Sequence, residues 1–144
     1  MKKSPPIEKV FEAWTALADG RVSIDENSAT VKSSDRLRTY NISFNGNHYS
    51  STDNATFWQG YPGYPVIAVL MLQNKLPYDT KEAEKWKDIN WKVLNTKYKN
   101  DYSKVVETMA QQREINLDDA YGAARKVLEA LSKLDLEIKR KIKS

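Results

Sequence analysis

The 144-residue chain has no cysteine. That absence excludes disulfide staples, thiolate nucleophiles and zinc or iron–sulfur sites built on cysteine, and it fits a reducing compartment. No apolar run approaches the ~20 residues a helix needs to cross a bilayer, so no membrane partner is expected. Met1-Lys2-Lys3 is followed by Ser4, Pro5, Pro6 and Glu8 instead of an apolar signal core, a pattern that points to the cytoplasm. Histidine occurs once, as His48. There is no internal repeat, no zinc-finger spacing, no aromatic ribonucleoprotein motif and no Gly-x-x-Gly loop of the KH type. No motif calls for a cofactor or a metal: Asp25-x-Asn27 lacks the glycine and terminal glutamate of a calcium loop.

What is present suits one globular domain spanning the chain, with residues 1–4 and 140–144 expected to fray. The chain is 40% hydrophobic and 29% charged, with a net charge of +4. The excess sits in residues 80–144, where fifteen Lys/Arg face eleven Asp/Glu. Such a balance permits a polyanion partner, and it equally suits a lysine-rich solvated surface.

The first element reads as a helix, with Ser4 as cap, Pro5 and Pro6 in its first turn and Gly20 as its stop. Ile7, Val10, Phe11, Trp14 and Leu17 form its apolar stripe. From Arg21 the period changes to two, giving short strands at Arg21–Ile24 and Ala29–Lys32. A hairpin follows, Leu37–Phe44 with Asn47–Thr52, joined by Asn45-Gly46. Pairing Phe44 with Asn47 puts Tyr40, Ile42, Phe44 and Tyr49 on a dry face. Asn41, Ser43, His48 and Ser50 fall on a wet one. A helix apolar all round is expected over Tyr64–Gln73. The pattern beyond Pro77 is helical, with starts at Asp79, Asp101 and Asn116, and with one helix running from 80 to 99. The last helix carries its apolar spacing through Ile138 to Ile142, and Gly122-Ala123-Ala124 offers a neighbouring helix a close approach. The sum is an α+β domain: a small antiparallel sheet, the hairpin 37–52 plus one or two short strands, packed on a bundle of about five helices. The first helix is expected beneath the sheet.

Three functional readings follow. On one helix at about 100° per residue, Lys81, Lys85, Lys92 and Lys99 share a stripe about 40° wide, with Trp91 and Tyr98 at the edge of the apolar arc. Lysines in a row neutralise phosphates and flanking rings stack on bases, so RNA or DNA bound without sequence preference is the leading partner. A plain amphipathic helix shows the same stripe. The second reading is a protein–protein or self-association module using Trp86, Trp91, Tyr98 and Tyr102, with Trp91 as anchor; the same rings could close the domain's own core. The third is a small-molecule site, of the kind an enzyme would use, at the loop Phe57-Trp-Gln-Gly-Tyr-Pro-Gly-Tyr-Pro65. Its cleft would be lined by His48, Asp53, Trp58, Tyr61 and Tyr64 beside a helix N-terminus, unless those rings simply fill the gap between sheet and helices. Gly60-x-x-Gly63 lacks the Lys-Ser/Thr pair of a phosphate loop.

Catalysis finds little support. His48 pairs with Ser43 across the hairpin, but a flat strand supplies neither an orienting carboxylate nor an oxyanion site, so no catalytic residue is assigned. Asp25-Glu26 and Asp118-Asp119 are explained as turn and cap residues.

Overall fold

A computed structural model describes residues 4–140. It is an α+β domain in which five strands form one open, mostly antiparallel sheet in the order β1-β2-β3-β4-β5. The strands are β1 (Val22–Ile24), β2 (Ser28–Lys32), β3 (Thr39–Asn45), β4 (His48–Ser51) and β5 (Glu137–Ile138). Six α-helices accompany them among the described residues: α1 (Glu8–Ala18), α2 (Tyr64–Leu72), α3 (Thr80–Glu84), α4 (Trp91–Lys97), α5 (Tyr102–Arg113) and α6 (Leu117–Lys133). A single π-helical turn, Ala55–Gln59, lies between β4 and α2.

The helix against the sheet is α2, not α1. It touches β1, β3 and β4, while α1 packs chiefly on α2 and α3 and also meets α5 and α6. The reason is composition. Every residue of α2 from Pro65 to Met71 is buried, as its lack of a polar side requires. On α1, Val10 through Ala16 are all buried, Glu12 and Thr15 included, so it is an axial helix instead of a flanking one. It starts at Glu8 after an uncapped Ile7, and Ser4 does not cap it. Its end is as expected: Gly20 at φ +68 donates to the Leu17 carbonyl while Arg21 donates to Ala16, a Schellman closure.

The hairpin sits two residues from the expected pairing. Asn45 pairs with His48 and Phe44 with Tyr49, so the turn is Gly46-Asn47. Gly46 takes positive φ and Asn47 does not, the requirement of a turn with glycine in first place. A shift of two preserves the faces. Ile42 and Tyr49 are fully buried and Asn41 is exposed, but Ser50 of the expected wet face is buried and Ser43 and His48 are half-buried. It does move partners: Ser43 faces Ser50, and His48 is no longer opposite a serine.

Two further expectations fail. Residues 80–99 do not form one helix. The chain breaks after Glu84, passes through Asp88 at φ 60 and restarts where the Asn90 side chain accepts from the Val93 amide at 3.3 Å. Arg113 donates to the freed carbonyls of Lys85 (3.0 Å) and Lys87 (2.6 Å), and Asp19 accepts from the Asp88 amide at 2.8 Å. On a continuous helix, residues five apart diverge by about 140°. The break instead lets Trp86 and Trp91 both turn inward and stack, with centroids 6.4 Å apart. The last helix also stops early, at Lys133, and residues 137–138 become β5, parallel to β4. Ile142 lies outside the described residues, as do 1–3 and the rest of 141–144. Arg140 is described, with its guanidinium 5.2 Å from the Trp58 ring. A Cβ on Gly122 would meet nothing within 4 Å, so no helix crosses there.

Candidate functional site

The residues proposed from the sequence do not gather in one place. His48 lies at a recess by the hairpin turn, 3.5 Å from the Glu137 carboxylate. Trp58 is 63% exposed on the π turn, edge-on to Phe57 and beneath the Arg140 guanidinium. Asp53 is buried, and its oxygens are spent on its own chain. One accepts from Ser51 Oγ; the other accepts from the Thr56 amide and hydroxyl, both at 3.1 Å. Thr56 Oγ1 in turn accepts from the Gly63 amide at 2.9 Å. A Cβ on Gly63 would collide with the Asp53 carboxylate. The aromatic loop is thus pinned by a polar knot, and Gly63 is required by space, since its φ of −74 is open to any residue. Both prolines of the loop follow trans peptide bonds.

The lysines are separated by the helix break. Lys85 is 3.4 Å from Glu82, Lys92 is 3.8 Å from Asp35, Lys81 is exposed on α3, and Lys99 lies beyond α4 at φ 53. Trp86 and Trp91 are 0% and 2% exposed. Trp91 Nε1 donates to Thr15 Oγ1 at 2.7 Å, and that hydroxyl donates to the Trp86 carbonyl at 2.6 Å. These tryptophans close the domain's own core and offer no face to a base or a partner. Tyr98 is half-buried, with the Lys97 and Lys104 ammonium groups 5.5 and 5.9 Å from its ring.

Asp53 and Tyr64 do border a cleft, of about 310 Å³, that the sequence did not reveal as a unit. Its wall is assembled from distant segments: Lys9 and Glu12 of α1, Ser33, Ser34 and Arg38 of the β2–β3 loop, Tyr40 of β3, Lys92, Asn95 and Thr96 of α4, and Asn100 and Tyr102 where α5 begins. The loop is fastened to α4 by Ser34, whose hydroxyl accepts from the Lys92 amide at 3.0 Å. Glu12 is buried, and Lys9 Nζ reaches its carboxylate at 3.0 Å while lying 4.4 Å from the Tyr102 ring centroid. Burial pulls the Lys9 ammonium down. The Glu12 carboxylate, with the Tyr102 and Tyr61 phenols, outweighs that and lifts it above the usual lysine value. Burial also raises the phenols of Tyr40, Tyr61 and Tyr64, so they stay protonated and can donate. Lys99 and Asn100 are consecutive residues in the left-handed region beside the cleft, a cost that backbones tend to carry near sites.

A scan against family models covers residues 2–137. The chain belongs to the family described as uncharacterised conserved protein UCP014422. The family model takes in every residue of the cleft and of the Asp53 knot. No curated protein and no solved structure matches the chain. Among the described residues no helix is long and apolar enough to cross a membrane, and no three His, Cys, Asp or Glu side chains are grouped to hold a metal ion.

Proposed function

We propose that this protein is a non-catalytic binding domain that takes a small polar organic molecule into the cleft between α1, the β2–β3 loop and α4. The observation that carries the reading is the cleft floor, where the nearly buried Lys9–Glu12 pair sits among tyrosine rings. A volume near the lower end of ordinary ligand pockets, with a few fixed polar groups and aromatic walls, is the usual form of a small-molecule site. The same groups argue against chemistry. Lys9 stays protonated and is no nucleophile, Asp53 has its oxygens occupied, and the sole histidine is elsewhere.

The test is a titration of the isotope-labelled protein with a library of small metabolites, read by amide shifts. Compounds that bind should move Ser33, Tyr40, Asn95 and Tyr102 together. Thr96→Trp, which fills the cleft from an exposed position, should abolish the shifts. If no compound moves these amides at millimolar concentration, or if the filled variant responds like wild type, the reading is wrong.

A nucleic-acid partner is a second proposal, in a smaller form than the four-lysine stripe. Exposed Lys97 and Lys104 hold their ammonium groups near the Tyr98 ring, and exposed Lys99 follows it in the chain at the α4–α5 turn, an arrangement that suits one stacked base and its phosphates. A fluorescent oligonucleotide, DNA or RNA, should bind at low salt and lose affinity steeply as salt rises, and the triple alanine variant should flatten that slope. Absence of binding at low salt would remove it.

A further inference from the structure

We infer that the ligand of this cleft is an anion, a small carboxylate or phosphate ester whose charged group docks between Arg38 and Lys92. This rests on the binding-cleft reading above. The cleft wall carries three cations, Lys9, Arg38 and Lys92, and two carboxylates, Glu12 and Asp53. Both carboxylates are engaged by their own chain: Glu12 holds Lys9 at 3.0 Å, and Asp53 holds Ser51 and Thr56. Two cations are left under-neutralised. Arg38 is exposed and makes no ion pair among the described residues. Lys92 has only Asp35, at 3.8 Å, which is beyond hydrogen-bond reach. Asp35 also divides its charge, its other oxygen accepting from Ser33 Oγ at 2.6 Å and the Leu37 amide at 3.0 Å.

Asn95 also lines the cleft, with its amide oxygen sealed from solvent and without a hydrogen-bond partner among the described residues. The carboxylates of the wall are engaged, whereas its two accessible cations and the phenols of Tyr40 and Tyr64 are able to donate. The molecule that satisfies it is rich in acceptor oxygens and carries negative charge. Space limits its size. A cleft of about 310 Å³ admits a sugar phosphate or a di- or tricarboxylate, not a nucleic-acid strand.

The experiment titrates the full chain with inorganic phosphate, glucose 6-phosphate, citrate and uncharged glucose, following cleft amides by NMR. At least one organic anion should bind, and glucose should bind at least about ten-fold more weakly. Arg38→Gln and Lys92→Gln, both at accessible positions, should each weaken the anion by about ten-fold. Citrate and glucose 6-phosphate separate a carboxylate from a phosphate ester, and inorganic phosphate shows whether the head group suffices. If glucose binds as well as the anions, or if both glutamine variants keep the anion's affinity within about two-fold, the cleft reading stands and the anion assignment falls. If no probe of either charge moves the cleft amides but other compounds of the library do, again only the anion assignment falls. If nothing moves them, both fall.

Discussion

Two polar regions lie side by side in this molecule and are used in opposite ways. At the Asp53 knot a buried carboxylate, two hydroxyls and two amides satisfy one another completely, and the Phe57–Pro65 loop hangs from them. At the Arg38–Lys92 rim of the same cleft, charges project with little to neutralise them. The difference teaches how to tell a structural polar group from an available one. Burial of a charge marks neither by itself. What separates them is whether the chain already occupies the group's hydrogen-bonding capacity.

The comparison can be broken by substitution. Gly63→Ala should have the largest effect, a loss of about 2–4 kcal/mol in urea unfolding, because the new methyl collides with a carboxylate that three hydrogen bonds hold in place. A Gly63→Ala variant as stable as wild type would show that the knot is soft. Asp53→Asn should cost about 1–3 kcal/mol, since an amide cannot accept from all three donors without turning its own hydrogens on one of them. Alkaline titration sharpens the picture of the phenols. Tyr40, Tyr61, Tyr64, Tyr78 and Tyr121 all lose their protons above the ordinary value of 10.0 in the folded protein, Tyr121 at about 12 through burial and the nearby Glu8. The folded state therefore holds more protons than the unfolded one above about pH 10. Its stability should be full below about pH 10 and fall as pH rises through the folded values. A urea midpoint unchanged from about pH 9 to about pH 11 would contradict this. The smallest effect belongs to the rim: Arg38→Ala should change stability by less than about 0.5 kcal/mol, because the exposed guanidinium makes no ion pair among the described residues. A loss of about 2 kcal/mol there would make Arg38 structural and erase the contrast.

Local signals in the sequence were legible and distant ones were not. Asp79, Asp101 and Asn116 cap α3, α5 and α6 as their spacing suggests, because a cap needs only the next three residues. The dry face of the hairpin follows from alternation alone, whereas the wet one holds only in part, since Ser50 is buried. The broken helix was legible in principle: Asn90 is an N-cap residue standing before Trp91, but the recurrence of lysines and apolar residues across 80–99 masks it. The turn is displaced because glycine takes its first place. Of the five residues suggested for a pocket, Asp53 and Tyr64 reach the cleft, Tyr61 interacts electrostatically with Lys9 and Tyr102, and His48 and Trp58 lie elsewhere. The decisive partners, Lys9, Arg38 and Asn95, stand up to 86 positions apart. Only tertiary packing brings them together, and no spacing rule announces it.

The four tryptophans have a practical consequence. Trp14, Trp86 and Trp91 are sealed inside, while the indole on the π turn stands in water under a guanidinium. A collisional quencher such as acrylamide should therefore darken one emitter and spare three. The protein thus carries its own optical label at a known point on its surface, beside the segment that the Asp53 carboxylate anchors.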